Sequence, residues 1–161
     1  MARGKRLGEL LVEKGAIKPW QLELALEEQK RSNDFLGMIL LRKGWLKEEA
    51  LVEALADQFG IAYQQIDTAH LDPAAAKLLS SVLCREHTCV PIAMDPTSVT
   101  VAIANPLDAW AISEVERAAG YRRVRLVLAP SQQIRAAIIR LYQQAVQSLG
   151  NQERKGPDDH V

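Results

Sequence analysis

A 24-residue pattern is written twice in the first third of this chain. Residues 6–29 read RLGELLVEKGAIKPWQLELALEEQ, and residues 35–58 read FLGMILLRKGWLKEEALVEALADQ, with a five-residue spacer between them. At an offset of 29 the copies agree at 10 of 24 positions, where ordinary residue usage gives about two by chance. Such a duplication constrains the fold before any single residue is considered. Whatever one copy forms the other forms too, and neighbouring repeats bury a shared apolar side.

Each copy reads as two short helices. Leu7, Leu10 and Leu11 stand at i, i+3, i+4, one face of a helix. Gly15 ends that helix by taking the left-handed conformation, and Pro19 opens the next, where its missing N–H is no loss. Leu22, Ala25, Leu26 and Gln29 then lie along one stripe. The second copy repeats this with Leu36, Ile39, Leu40 and Gly44, then Leu51, Ala54, Leu55 and Gln58, with Asp34 as the expected N-cap of its first helix.

A helical core accounts for the leucines. It does not call for a glutamine at the same place twice, or for Gly8 and Gly37 at the start of each opening helix. Glycine in a helix costs about 1 kcal/mol against alanine, and it allows something to approach the backbone closely. Two matched places with approachable backbone, an amide side chain and apolar walls suit a ligand made of two like halves.

The spacing R-L-G-x-x-L-hydrophobic-x-x-G, then L-x-x-x-L-x-x-Q, repeated after five residues, resembles the MshEN domain. That family is the cyclic di-GMP receptor at the N-terminus of type II secretion and type IV pilus assembly ATPases. The resemblance implies that each copy holds half of one cyclic di-GMP molecule. It places Arg6, Leu7, Gly8, Leu22, Leu26 and Gln29 in one half-site, and Phe35, Leu36, Gly37, Leu51, Leu55 and Gln58 in the other. An arginine stacks on or donates to a purine, and an amide both donates and accepts. Phe35 departs from the pattern: it can stack on a base but carries no charge.

The rest of the chain reads β-α-β-β-α-β-α. A strand is expected at 61–66. A helix over 73–86, opened by Asp72 and Pro73, shows Ala76, Leu79, Val82 and Leu83 on its apolar face. A hairpin follows over 89–104, turning at 95–98. A helix over 109–119 ends at Gly120, a strand covers 124–128, and a final helix over about 132–149 is capped by Ser131. The expected class is α+β: a helical subdomain over 1–60, an α/β subdomain over 61–149, and a disordered polar tail over 150–161, with residues 1–5 a mobile lead. The stretch V-A-I-A-N-P-L-D is also similar to the second part of the MshEN domain. By that resemblance Asp108 is a candidate ligand contact, although it equally suits the N-cap of the helix after it.

The formal net charge is zero, with 20 basic and 20 acidic residues divided evenly between 1–60 and 61–161, so no strong field favours DNA or an anionic membrane. No apolar run approaches the ~20 residues of a membrane span. Two cysteines are too few for a disulfide framework, which together with the lack of a signal-like start suggests a reducing cytoplasm. Cys84, His87 and Cys89 offer three ligands without a fourth nearby, so no metal is expected. No phosphate-binding G-x-x-x-x-G-K-[ST] loop occurs, so no catalysis is expected. Two functions remain: a cyclic di-GMP sensing module acting on a secretion or pilus ATPase or its platform, or an adaptor that docks such a partner without any ligand.

Overall fold

The apolar spacing of the repeats yields four helices in the computed structural model, which describes residues 6–154, with side chains to residue 147. They are α1 (Leu7–Glu13), α2 (Pro19–Ser32), α3 (Leu36–Arg42) and α4 (Glu48–Phe59). Gly15 and Gly44 stop the opening helices at φ 73° and 72°, a conformation in which a Cβ would be strained. The expected cap of α3 is corrected by one residue. Phe35 occupies the N-cap position and gives no side-chain cap, while the Asp34 carboxylate accepts from Arg42 at 3.2 Å.

The helices interleave. α1 packs against α4 and α2 against α3, so the opening helix of each copy rests on the closing helix of the other. Leu11 and Leu40, a matched pair, are both fully buried in a cluster with Ile17, Ala25, Leu36, Ile39, Leu46, Leu51 and Ala54. After α4 a short strand, β1 (Ala62–Tyr63), follows, and the compact unit runs Met1–Tyr63. The boundary falls three residues beyond the expected one. Ile61 N donates back to Ala56 O at 3.0 Å and ties the exit of α4 to the helix.

The second unit, Gln64–Val161, holds α5 (Ser81–His87), β2 (Cys89–Met94), β3 (Ser98–Ile103), α6 (Ala109–Ala119), β4 (Arg123–Leu128) and α7 (Ser131–Arg154). β2 and β3 form the expected antiparallel hairpin, with a bulge between Pro91 and Ala93. β4 pairs in parallel with β3, from Ser98↔Arg123 to Ile103↔Leu128, and α6 is the crossover between them. Ile134, Ala137, Ile138 and Leu141 are the buried stripe of α7.

Two expectations fail here for local reasons. The helix foreseen over 73–86 is a 3-10 turn, Pro73–Lys77, followed by a separate α5. Ser80 accepts from Leu83 N at 3.1 Å and restarts the helix there. The restart resets the phase, so Ala75, Leu79 and Cys84 are buried while Val82 is exposed. At the other end α7 continues to Arg154, five residues into the stretch expected to be disordered. The remainder of that tail, and residues 1–5, lie outside the described residues.

The hairpin turn is held by one carboxylate. Asp95 accepts from Thr97 N (2.7 Å), Ser98 N (2.8 Å), Thr97 Oγ1 (3.0 Å) and Ser98 Oγ (2.9 Å). These donors, the Thr97 N–H first, lower its pKa from the ordinary 3.8 to about 2. A depressed carboxylate stabilises the fold above its unfolded pKa and loses that contribution as pH falls through its folded pKa. Unfolding midpoints are therefore expected to drop as pH falls from about 4 towards 2. Asp95→Ala should be less stable at neutral pH and should show a flatter profile in that window. Parallel profiles for the two proteins would contradict this.

Candidate functional site

The interleaved packing gives the repeated lysines a purpose. Lys14 is matched with Lys43, and Glu28 with Asp57, at the repeat offset. Lys14 pairs with Asp57, and Lys43 Nζ lies 2.9 Å from Glu28 Oε2. The two bridges are reciprocal, each running from one copy to the other. The hydrogen bond to Asp57 raises the pKa of Lys14, and the one from Lys43 lowers that of Glu28. Both pairs are about a third exposed or more and so are screened by water, which makes them fix register more than they add stability. Lys43 also stands over the Trp45 ring at 5.2 Å, and Trp45 meets Trp20 edge-on at 5.3 Å.

The paired glycines are explained by packing inside the repeat. A Cβ on Gly8 would lie 2.5 Å from Leu22 Cδ1 and 3.2 Å from Leu36 Cδ2. A Cβ on Gly37 would lie 2.7 and 2.9 Å from the methyls of Leu51. In each copy the glycine seats the leucine fourteen residues later, so the close approach inferred from sequence is made by the repeat's own side chain. Leu36 reaching Gly8 also shows that the starts of α1 and α3 adjoin. Arg6 and Phe35, each immediately before its helix, therefore flank one junction. Both are exposed, Phe35 to 57%.

The other candidate residues divide between walls and rim. Leu7, Leu22 and Leu55 are partly buried against the core, Leu36 and Leu51 are buried, and Leu26 is 40% exposed. Gln29 Nε2 donates to Asp34 O at 3.1 Å, which anchors the spacer to α2, whereas Gln58 is exposed. Reading the sequence for matches passed over one residue of this surface. Met38 is 58% exposed on the first turn of α3, where the first copy has Glu9. Its signal was a mismatch at the repeat offset.

Asp108 lies in the second unit with both oxygens engaged. Oδ1 accepts from Ala111 N at 3.0 Å, capping α6, and Oδ2 meets His87 Nδ1 at 2.8 Å. Burial acts to raise its pKa, but these hydrogen bonds outweigh it and the pKa is lowered. His87 also stacks on Trp110, 4.6 Å between ring centroids. Cys84 and Cys89 are free thiols, both buried. Thr88, at φ 46°, turns the chain back so that they meet, and the Cys89–Cys84 hydrogen bond lowers the pKa of Cys84 and raises that of Cys89. Tyr142 OH lies 3.4 Å from Cys84 Sγ and donates to Leu79 O at 2.5 Å. Among the described residues no group of three or more His, Cys, Asp or Glu is placed to hold a metal ion, and no helix is long and apolar enough to cross a membrane.

Comparison with known proteins follows this division. The family model for the MshEN domain matches residues 59–148, which is the second unit and its approach; the duplicated motif lies outside the matched segment. The type IV pilus assembly ATPase PilB of Myxococcus xanthus is 31% identical over 89% of this chain and 25% of its own length. The PilB of Thermus thermophilus is 40% identical over 68% of this chain and 12% of its own. The chain thus spans a quarter of one relative and about an eighth of the other. A solved structure of MshE with cdg is 33% identical, with a TM-score of 0.72, over 86% of this chain and 99% of that one.

Proposed function

We propose, from the premise that this chain belongs to the MshEN domain family, that it is a receptor module for cyclic di-GMP, holding one ligand across the tandem repeats. The observation that carries this reading is the likeness to MshE, which runs over 99% of a chain solved with cdg, an abbreviation we take to be cyclic di-GMP. The duplicated hairpin supports it, since a ligand with two like halves suits two like sites. Arg6, Leu7, Gly8, Leu22, Leu26 and Gln29 form one half, and Phe35, Leu36, Gly37, Leu51, Leu55 and Gln58 the other. In both halves the glycine contributes indirectly, by letting its leucine sit low enough to form the floor. Asp108 stays a candidate contact by the family resemblance alone, with acceptor sites left on its carboxylate beside those used by His87 and Ala111. The output is regulation of a pilus or secretion ATPase, by analogy with the PilB relatives.

Calorimetry with cyclic di-GMP is the test. Saturable binding of about one ligand per chain is expected, and Arg6→Ala should weaken it by roughly 1–3 kcal/mol, the usual cost of stranding a polar partner. Gln29→Ala should weaken binding similarly, and its unfolding curve must be compared as well, because Gln29 also holds Asp34 O. That structural use of Gln29 is what favours the second reading, an adaptor whose helical unit docks a pilus or secretion component without ligand. Heats equal to those of buffer, from protein shown to be folded, would select the adaptor.

A further inference from the structure

The two half-sites are alike in backbone and unlike in chemistry, and the difference bears on which cyclic dinucleotide fits. Arg6 and Phe35 hold the same position: each is the N-cap of its seven-residue helix, at φ −66°, ψ 152° and φ −60°, ψ 136°. One turn further on, exposed Glu9 in α1 is answered by exposed Met38 in α3. The rim of the first half is therefore charged, and the rim of the second is aromatic and thioether. A guanidinium can read guanine, donating in a bidentate manner to O6 and N7, whereas the corresponding edge of adenine presents an amino group. A phenyl ring stacks on any base, because every base has a π-face. Methionine beside it is flexible and adapts to either purine.

We infer that the second half-site, whose one amide, Gln58, both donates and accepts and so can pair with either purine, does not select its base, so that the chain accepts a cyclic purine dinucleotide with one guanine and one adenine nearly as well as cyclic di-GMP. The guanine lies at Arg6 and the second purine on Phe35 and Met38. This deepens the receptor reading and rests on it.

The probes are cyclic di-GMP, 3′,3′-cyclic GMP–AMP and cyclic di-AMP, each titrated calorimetrically into the intact chain. The mixed ligand should bind within about threefold of cyclic di-GMP, since stacking is tolerant of base identity. Cyclic di-AMP should be at least about fivefold weaker, the lower end of discrimination by one bidentate arginine. Phe35→Arg should open a gap of about fivefold or more between cyclic di-GMP and the mixed ligand. Phe35→Ala should weaken both by a similar factor, about fivefold or more, through lost stacking. Phe35 is exposed, so both variants should fold, and unfolding curves check this. If wild type rejects the mixed ligand as strongly as Phe35→Arg does, the inference is overturned while the receptor reading stands. If none of the three ligands binds, both are lost.

Discussion

Replacing Leu40 by alanine is expected to cost about 2–5 kcal/mol, the range for truncating a fully enclosed leucine. Leu40 has no exposed surface and sits among Leu11, Ile39, Leu36 and Leu51, where helices from both copies meet. A helical unit of some sixty residues has a small core and little stability in reserve. Much of the helical signal should therefore melt under conditions where wild type is intact. Denaturant unfolding followed by circular dichroism measures this. Met38→Ala, at an exposed position of the same helix, is the control and should stay within about 0.5 kcal/mol. If Leu40→Ala costs no more than the control, the interleaved core described here is wrong.

Gly37→Val should be the next most damaging change, at about 1–3 kcal/mol for forcing extra carbon into a filled space. The first added atom would already lie 2.7 Å from Leu51, and valine adds two methyls beyond it. Leu51 is itself buried, so moving it aside disturbs the core cluster it belongs to. The matched change Gly8→Val is expected to cost less. Its tightest contact is nominally closer, at 2.5 Å, but it is to the end of Leu22, which is only partly buried, while buried Leu36 stands further off at 3.2 Å. Some relief comes in both from removing a helical glycine, worth about 1 kcal/mol against alanine though less against valine. Parallel unfolding curves would decide the order, and equal losses would show that the freedom of the neighbouring leucine does not matter.

Periodicity and stop signals made the four N-terminal helices legible, because the repeat stated each of them twice. The hairpin over 89–104 was legible for a different reason: two β-branched runs bracket an Asp-Pro turn. Position within an element was harder to read. Asp34 looks like a cap, but its carboxylate faces Arg42, a partner eight residues away that local spacing does not reveal. Ser80 looked like one helical residue among many, yet it begins a new helix. The glycines read as places of close approach to the backbone; a leucine fourteen residues on occupies that space. Asp108 was legible as a cap; its pairing with His87 spans 21 residues, which local spacing does not reveal.

The crossed arrangement, with α1 on α4 and α2 on α3, is the one that two separate hairpins would adopt if they clasped as a symmetric pair. In such a pair every substitution is made twice, and an arginine at one rim is an arginine at both. Joining the hairpins through the 30–34 spacer lifts that restriction. The linked halves can keep Gly8 and Gly37, or Leu11 and Leu40, in step wherever packing demands it, while Arg6 and Phe35 go separate ways. Covalent linkage thus frees the two faces of a twofold arrangement to change independently.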